Sequence, residues 1–248
     1  MKKTLTIAIF LIFAGCTKEH RGPVNHEETK RPDTMVTQKA IHTLNWSIEK
    51  GDRLLTKVQT TAQTDHGRFH FVMEKQADLP KGIRIIHRLE VIRTEKDLFT
   101  RVDGSTFMHW SSFVNEDNAL WNIAFGDLNL LLQVFEPCYF VVNNKAVTTR
   151  GLCKPDFRTS GLRARELQKI WATDNPTFKI TGKQGQNGHW ETLEINLDIG
   201  ETSLKMHLDS KIPAKIVINP PKKWVSDQRQ SPWALLQHIK RAIEDTGN

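Results

Sequence analysis

The sequence lacks the catalytic signatures that short motifs can carry. It contains no Gly-X-Ser-X-Gly elbow, no glycine-rich phosphate loop, no His-Glu-X-X-His and no dinucleotide-binding fingerprint. The ten histidines are scattered, and we expect His66 and His70 to be solvent-facing imidazoles without a carboxylate partner. We therefore predict no enzyme activity, no metal site and no cofactor. A hydrolase with unrecognised residues stays open as an alternative, and its marker would be a convergence of Ser, His and a carboxylate in one cleft.

Long hydrophobic runs are also missing, apart from a short one at the N-terminus. Lys2 and Lys3 precede eleven uncharged residues, Leu5 to Gly15, whereas a membrane span needs roughly twenty. A basic start followed by a short apolar run is typical of a secretory signal peptide. We predict such a peptide over residues 1–15.

The segment Phe13-Ala14-Gly15-Cys16 resembles the lipobox of bacterial lipoproteins, with Phe13 in place of the usual Leu. The resemblance implies that the Cys16 thiol is acylated and that Cys16 becomes the first residue of the mature chain. Two or more acyl chains anchor a protein stably to a membrane. Thr17, and not Asp, follows the cysteine. The resemblance to enterobacterial lipoproteins therefore implies sorting to the outer membrane, with the protein facing the periplasm. The alternative is an ordinary signal peptide followed by an incidental cysteine.

Apolar residues are scarce again just after Cys16. Residues 16–36 have mixed charges and two prolines, so they cannot bury enough surface to fold, and we predict a disordered tether. Residues 37–248 are enough for a single β-rich domain with one core. Without Lys2 and Lys3 the net charge of +7 becomes 7 − 2 = +5. The positive charges are spread along the chain and form no single block, so we expect no nucleic-acid partner. A modest positive charge fits a protein that works near anionic lipid or cell-wall polymer. It is equally what an ordinary solvated surface shows.

Cysteine is rare, with three residues in the chain. Once Cys16 is acylated, Cys138 and Cys153 remain in an oxidising compartment, and we predict that they form a disulfide. Asn143-Asn144 is a turn signal between two short β-prone runs, so the bridge would link neighbouring strands. A catalytic or redox cysteine is the alternative, but neither residue stands in a Cys-X-X-Cys spacing.

Strict alternation of apolar and polar residues is widespread. In HWETLEINLDI, Leu193, Ile195 and Leu197 fall on one face, and GIRIIHRLEVIR behaves similarly. The pattern recurs in GRFHFVMEK, DLFTRVD, STFMHW, PTFKITG, TSLKMHL and AKIVIN. Turn signals such as Asp103-Gly104 separate these runs. Short strands with tight connections predict an antiparallel meander, because parallel strands need long crossovers.

Two segments predict helices. Residues Asn118 to Phe135 are apolar almost all round, so this helix is buried or covered on both sides. The second begins at Ser231 and Pro232, and its apolar stripe makes it amphipathic. The predicted class is α+β, mostly β: a curved antiparallel sheet resembling an unclosed barrel, with a mid-chain apolar helix and a C-terminal amphipathic helix.

This combination resembles the LolA/LolB and LppX-like superfamily of periplasmic carriers, from about Leu54 to Asn219. The shared features are the meander, the Asp103-Gly104 hairpin, the mid-chain helix and a late Leu208-Asp209-X-X-X-Pro213 before the last strand. The resemblance implies an unclosed β-barrel around a helical lid that holds acyl chains of lipids or lipoproteins. It carries over no ligand residue.

Candidate ligand-binding residues follow from the helix instead. They flank it or lie on it: Trp110, Leu120, Trp121, Leu128 and Leu131. Large aromatic side chains in a β-rich protein also pack simply as core, which is the alternative. We predict a membrane-anchored, periplasm-facing carrier that binds a lipid or a lipoprotein acyl chain and catalyses no reaction on it. The alternative is an accessory lipoprotein that docks on a partner protein of an envelope assembly and binds no small ligand.

Overall fold

The structure is a computed structural model that describes residues 39–78, 84–111, 117–148, 154–159, 167–169, 171–172, 176–185, 188–226 and 235. The predicted signal peptide and tether lie outside these residues. So does the predicted C-terminal helix, except for Leu235, which is helical and fully buried.

Two antiparallel meanders make up most of the molecule. The first contains β1 (Ala40–Lys50), β2 (Arg53–Asp65), β3 (Arg68–Asp78), β4 (Arg84–Arg93), β5 (Asp97–Val102) and β6 (Phe107–Ser111). The second contains β7 (Tyr139–Val142), β8 (Lys145–Thr148), β9 (Thr177–Gln184), β10 (Trp190–Ile199) and β11 (Thr202–Lys211). A helix, α1 (Asp117–Val134), connects them, and a short strand, β12 (Trp224–Ser226), follows.

The two meanders join into one sheet because β11 pairs with β1. The strand order is β12-β6-β5-β4-β3-β2-β1-β11-β10-β9-β8-β7, and the sheet is not closed. All neighbours are antiparallel except β12 and β6, which run parallel. The predicted class, a mostly antiparallel open sheet with a mid-chain helix, is confirmed.

Tight turns stand where the turn signals predicted them. Asn143 and Asn144 both have positive φ, at 49° and 60°, and connect β7 to β8. Two-residue hairpins of this kind need positive φ at both central positions, which Asn tolerates better than most residues. Asp103 and Gly104 likewise have positive φ, at 48° and 74°, between β5 and β6.

Helix α1 packs against one face of the sheet, here called the inner face, which bears Leu44, Phe71 and Leu89. Alternate residues of the strands point to this face, so the apolar half of each alternating pattern meets the helix. On β10, Leu193 and Ile195 are buried as predicted. Ile123, Leu130 and Leu132 of α1 are half-buried and contact the same core, which fits a helix that is apolar on several sides.

The opposite, outer face of β4, β5 and β6 is also covered. Residues 212–223 form no strand, so the strand predicted at AKIVIN is wrong. Ile218 instead packs against Ile92, Phe99 and Phe107. The apolar and polar residues of this segment alternate because one side of it faces the sheet. The flanking prolines disfavour its hydrogen bonding to a neighbouring strand. In the part of the chain that the structure describes, no helix is long and apolar enough to cross a membrane.

Candidate functional site

The five predicted ligand-binding residues meet in one hydrophobic cluster between α1 and the inner face. They are all buried: Trp110, Leu120, Trp121, Leu128 and Leu131. Trp110 belongs to β6, and the other four lie on α1 at spacings that put them on one side of a helix. The helical periodicity therefore grouped four side chains that belong to this cluster.

Trp121 is the aromatic centre of this cluster. Its ring stacks on Phe125 at a centroid distance of 4.5 Å and meets the edge of Phe69 at 5.9 Å. The His42 ring of β1 lies 6.1 Å from both Trp121 and Phe125. His42 Nδ1 is also 2.9 Å from Ser210 Oγ of the neighbouring β11. These contacts join α1 to the centre of the sheet, where the two meanders meet.

Trp110 is held by a hydrogen bond inside the core. Its Nε1 donates to Thr100 Oγ1 of β5 at 2.9 Å, and both residues have no exposed surface. A buried indole N–H needs such an acceptor because water cannot reach it. The bond fixes the orientation of the Trp110 ring within the core.

Polar side chains line the inner face along β2 and β3, which sequence analysis did not include in the site. Thr56, Thr60 and Thr64 are buried on β2, and Lys75 is buried on β3. Among the described residues, none forms a hydrogen bond with Thr60 Oγ1. The signal that could have found them is threonine at alternate positions of a strand. The inner face is thus mostly apolar, and buried polar groups of β2 and β3 lie among its apolar side chains.

A second aromatic group closes the C-terminal end of α1. Phe135 stacks on Phe178 of β9, with ring centroids 4.2 Å apart and planes 6° apart, and Trp171 lies 4.9 Å away. Close by in the chain, Cys138 is buried and belongs to a disulfide. Cys153 lies outside the described residues, so the pairing of these two cysteines stays a prediction.

The outer face carries an ionic network that contradicts one expectation. His70 Nε2 lies 2.9 Å from Glu90 Oε1, and Arg101 Nε donates to Glu90 Oε2 at 3.0 Å. His66 Nδ1 lies 2.7 Å from Asp65 Oδ1. The prediction that His66 and His70 lack carboxylate partners is therefore wrong. Hydrogen bonds from His70 and then Arg101 lower the pKa of the Glu90 carboxyl to about 2.

A serine, a histidine and a carboxylate also come together on this face. His109 Nε2 is 2.9 Å from Asp97 Oδ1, and His109 Nδ1 is 3.3 Å from Ser226 Oγ. In a catalytic triad the carboxylate is buried and orients the imidazole. The Asp97 side chain is 44% exposed, so water competes for its bond. We interpret the Ser226 contact as one that holds β12 beside β6 and the Asp97 contact as one between β5 and β6.

Comparison with protein-family models gives no match for this chain, and comparison with curated protein sequences gives none either. The protein is therefore classed by its architecture. It is an open, mainly antiparallel sheet with an apolar helix packed on its inner face. The hydrophobic cluster under that helix is the candidate site.

Proposed function

We propose that the protein is a periplasm-facing lipoprotein, anchored through Cys16, that binds a lipid or a lipoprotein acyl chain beneath α1. The observation that carries the proposal is the position of the apolar helix across the inner face of an unclosed sheet. A sheet with free edges can open on one side, and a helix joined to it by loops can move away from it. Such binding requires no catalytic residue at the site.

The composition of the inner face supports an amphiphilic ligand. Trp121, Leu128 and Leu131 would contact an acyl chain, while Thr60 and Lys75 are buried polar groups on the same face of the sheet. Ligand sites are commonly apolar pockets with a few polar groups that orient the ligand. Gly126 weakens the middle of α1, because glycine lowers helix stability by about 1 kcal/mol relative to alanine.

The second candidate is an accessory lipoprotein whose cluster under α1 is ordinary core. The observation that favours it is the close packing of Trp121 against Phe125, Phe69 and His42. Side chains that already fill the space beneath a helix leave no room for a chain of methylene groups. The two candidates therefore differ in whether the core accepts additional volume.

Ala124→Phe tests this difference, because Ala124 is buried on α1 within the cluster. The full lipidated chain would be purified from its membrane in detergent, and native mass spectrometry would count the lipids retained per protein. If a ligand occupies the site, wild type retains lipid and Ala124→Phe folds but loses it. In a filled core the larger side chain costs about 1 to 3 kcal/mol of stability.

Ala146→Phe is the matched control, since Ala146 is buried in the same cluster but lies on β8. It makes the same change in volume away from the five candidate residues. We expect it to destabilise the fold without changing lipid retention in the molecules that stay folded. Wild-type protein that retains no lipid would contradict the carrier function and leave the accessory role.

A further inference from the structure

The β7–β8 hairpin exposes a concentration of large apolar side chains. Phe140 is 47% exposed, Val141 38%, Val142 50% and Val147 45%. These four residues are here called the hairpin patch. Single exposed apolar residues are normal on a protein surface, but a contiguous group marks a binding surface. Among the strands that the structure describes, β7 is also the last at its end of the sheet.

The hairpin patch extends around both faces of this edge. Phe140 is opposite Val147 in the register, and Val142 is opposite Lys145, so these side chains share the outer face. Val141 is opposite Ala146, which is buried on the inner face, so Val141 points the other way. A protein partner that packs on one face of a sheet would leave the other side of this edge in water.

Lysines border the apolar residues on the outer face. Lys145 is in register with Lys183 of β9, and Lys179 lies four residues before Lys183 on the same strand face. All three are exposed. Lys183 also pairs with Glu191 at 2.5 Å. Apolar side chains bordered by lysines suit the boundary between acyl chains and anionic headgroups, where lysine stems lie along the apolar region and their amines reach phosphate.

We propose that the β7 edge docks into a bilayer surface that contains anionic lipids, with the hairpin patch inserted at headgroup depth. Shallow insertion leaves water near the backbone of the edge strand, which the hydrocarbon interior would not provide. A second copy of the chain fits less well as the occupant. Four residues of strand extend only about 13 Å, and a stable interface needs about 800 Å² from each partner.

This inference rests on the proposed anchor at Cys16, because four apolar side chains alone bind a membrane weakly. An anchored chain holds the hairpin at a high effective concentration beside the bilayer, so a weak contact becomes populated. The domain would then lie against the membrane with its β7 edge.

Hydrogen–deuterium exchange of the hairpin tests the proposal on the full lipidated chain. The chain would be reconstituted into vesicles of phosphatidylethanolamine and phosphatidylglycerol, or kept in neutral detergent micelles. Docking predicts exchange in residues 139–148 about tenfold slower on the vesicles. Val142→Asn and Lys145→Glu should each remove most of this protection.

Val225→Asn is the matched control, because Val225 on β12 is 49% exposed, close to the value for Val142. It should leave the hairpin protected. Equal exchange on vesicles and micelles, while the chain remains vesicle-bound, overturns the docking but not the anchor. Release of the chain from the vesicles overturns both. Protection that appears in micelles and rises with protein concentration identifies a second copy as the occupant and also overturns the docking.

Discussion

His70 and Glu90 stand on neighbouring strands of the outer face, and His70 Nε2 lies 2.9 Å from Glu90 Oε1. Arg101 donates to the other carboxylate oxygen of Glu90 and also stacks over the Phe107 ring at 4.5 Å. Glu90 is buried, so its charge depends on these partners. The network therefore links β3, β4 and β5 on the outer face.

The free energy of unfolding should fall at acidic pH because Glu90 becomes protonated. Its carboxyl pKa falls from an ordinary value of 4.5 to about 2 on folding, so its contribution is fully present above pH 4.5. The contribution is lost as the pH falls from 4.5 toward 2, and it is at most about 3 kcal/mol. Glu90→Gln should lower stability at neutral pH and flatten its decline in acid, as measured by urea unfolding across pH.

The matched control for Glu90 is Glu74→Gln. Glu74 pairs with Arg88 at 3.3 Å, but both side chains are about half exposed. Such surface pairs contribute about 0 to 1 kcal/mol. If both variants show the same pH dependence as wild type, the Glu90 network does not contribute to stability.

Trp110 and Thr100 should be energetically coupled. Trp110→Phe leaves the buried Thr100 hydroxyl without its indole donor and removes ring volume, so we expect a loss of about 2 to 4 kcal/mol. Thr100→Val leaves the indole N–H without its acceptor and should cost about 1 to 3 kcal/mol. The double variant should lose less than the sum, as measured by denaturant unfolding. Additive losses would mean that the bond makes no net contribution.

Two glycines should respond oppositely to alanine. A Cβ on Gly182 of β9 would lie 2.6 Å from the Thr192 backbone oxygen, so Gly182→Ala must push β9 and β10 apart and cost about 1 to 3 kcal/mol. A Cβ on Gly126 of α1 would meet its nearest atom, Asn122 Cβ, at 3.4 Å. Gly126→Ala should therefore stabilise the fold by up to about 1 kcal/mol. Thermal unfolding of the two variants compares them, and equal shifts would contradict the packing described.

The disulfide at Cys138 should involve Cys153. In exported protein both thiols should resist alkylation until a reductant is added, and peptide mass mapping should recover the linked pair. Closing a loop of this size is worth about 3 kcal/mol, so the Cys138→Ser, Cys153→Ser double variant should unfold at lower denaturant. Immediate alkylation of Cys153 in native protein would exclude the bridge.

The anchor prediction concerns Cys16. Cys16→Ser removes the thiol that would be acylated, so the chain should accumulate as an unprocessed precursor that carries no lipid. Mass spectrometry of the N-terminal peptide and metabolic labelling with an acyl-chain analogue measure this directly. Thr17→Ser keeps Cys16 and serves as the control, which should be labelled like wild type. Equal labelling of Cys16→Ser would contradict the lipoprotein assignment.

Local pattern was enough to predict the helix, the turns and most of the strands. A period of two predicted β10, and a helical period placed Leu120, Leu128 and Leu131 together on α1. The predicted strands did not include β1 and β2. On the inner face of β2, Thr56, Thr60 and Thr64 alternate with apolar residues, so the contrast between buried and exposed positions is weak in the sequence.

The set of residues that share one face of a strand or helix can be deduced from the amino-acid sequence, because side-chain direction follows from backbone geometry within a few residues. Which of the two faces is covered depends on segments that are distant in the chain, so it can be known only from the three-dimensional fold. Ile218 packs on the outer face against Phe99, far from it in the chain. Similarly, β11 pairs with β1 although more than 150 residues separate the two strands. For the same reason the exposed hairpin patch emerged only from the strand order, which leaves β7 at an edge.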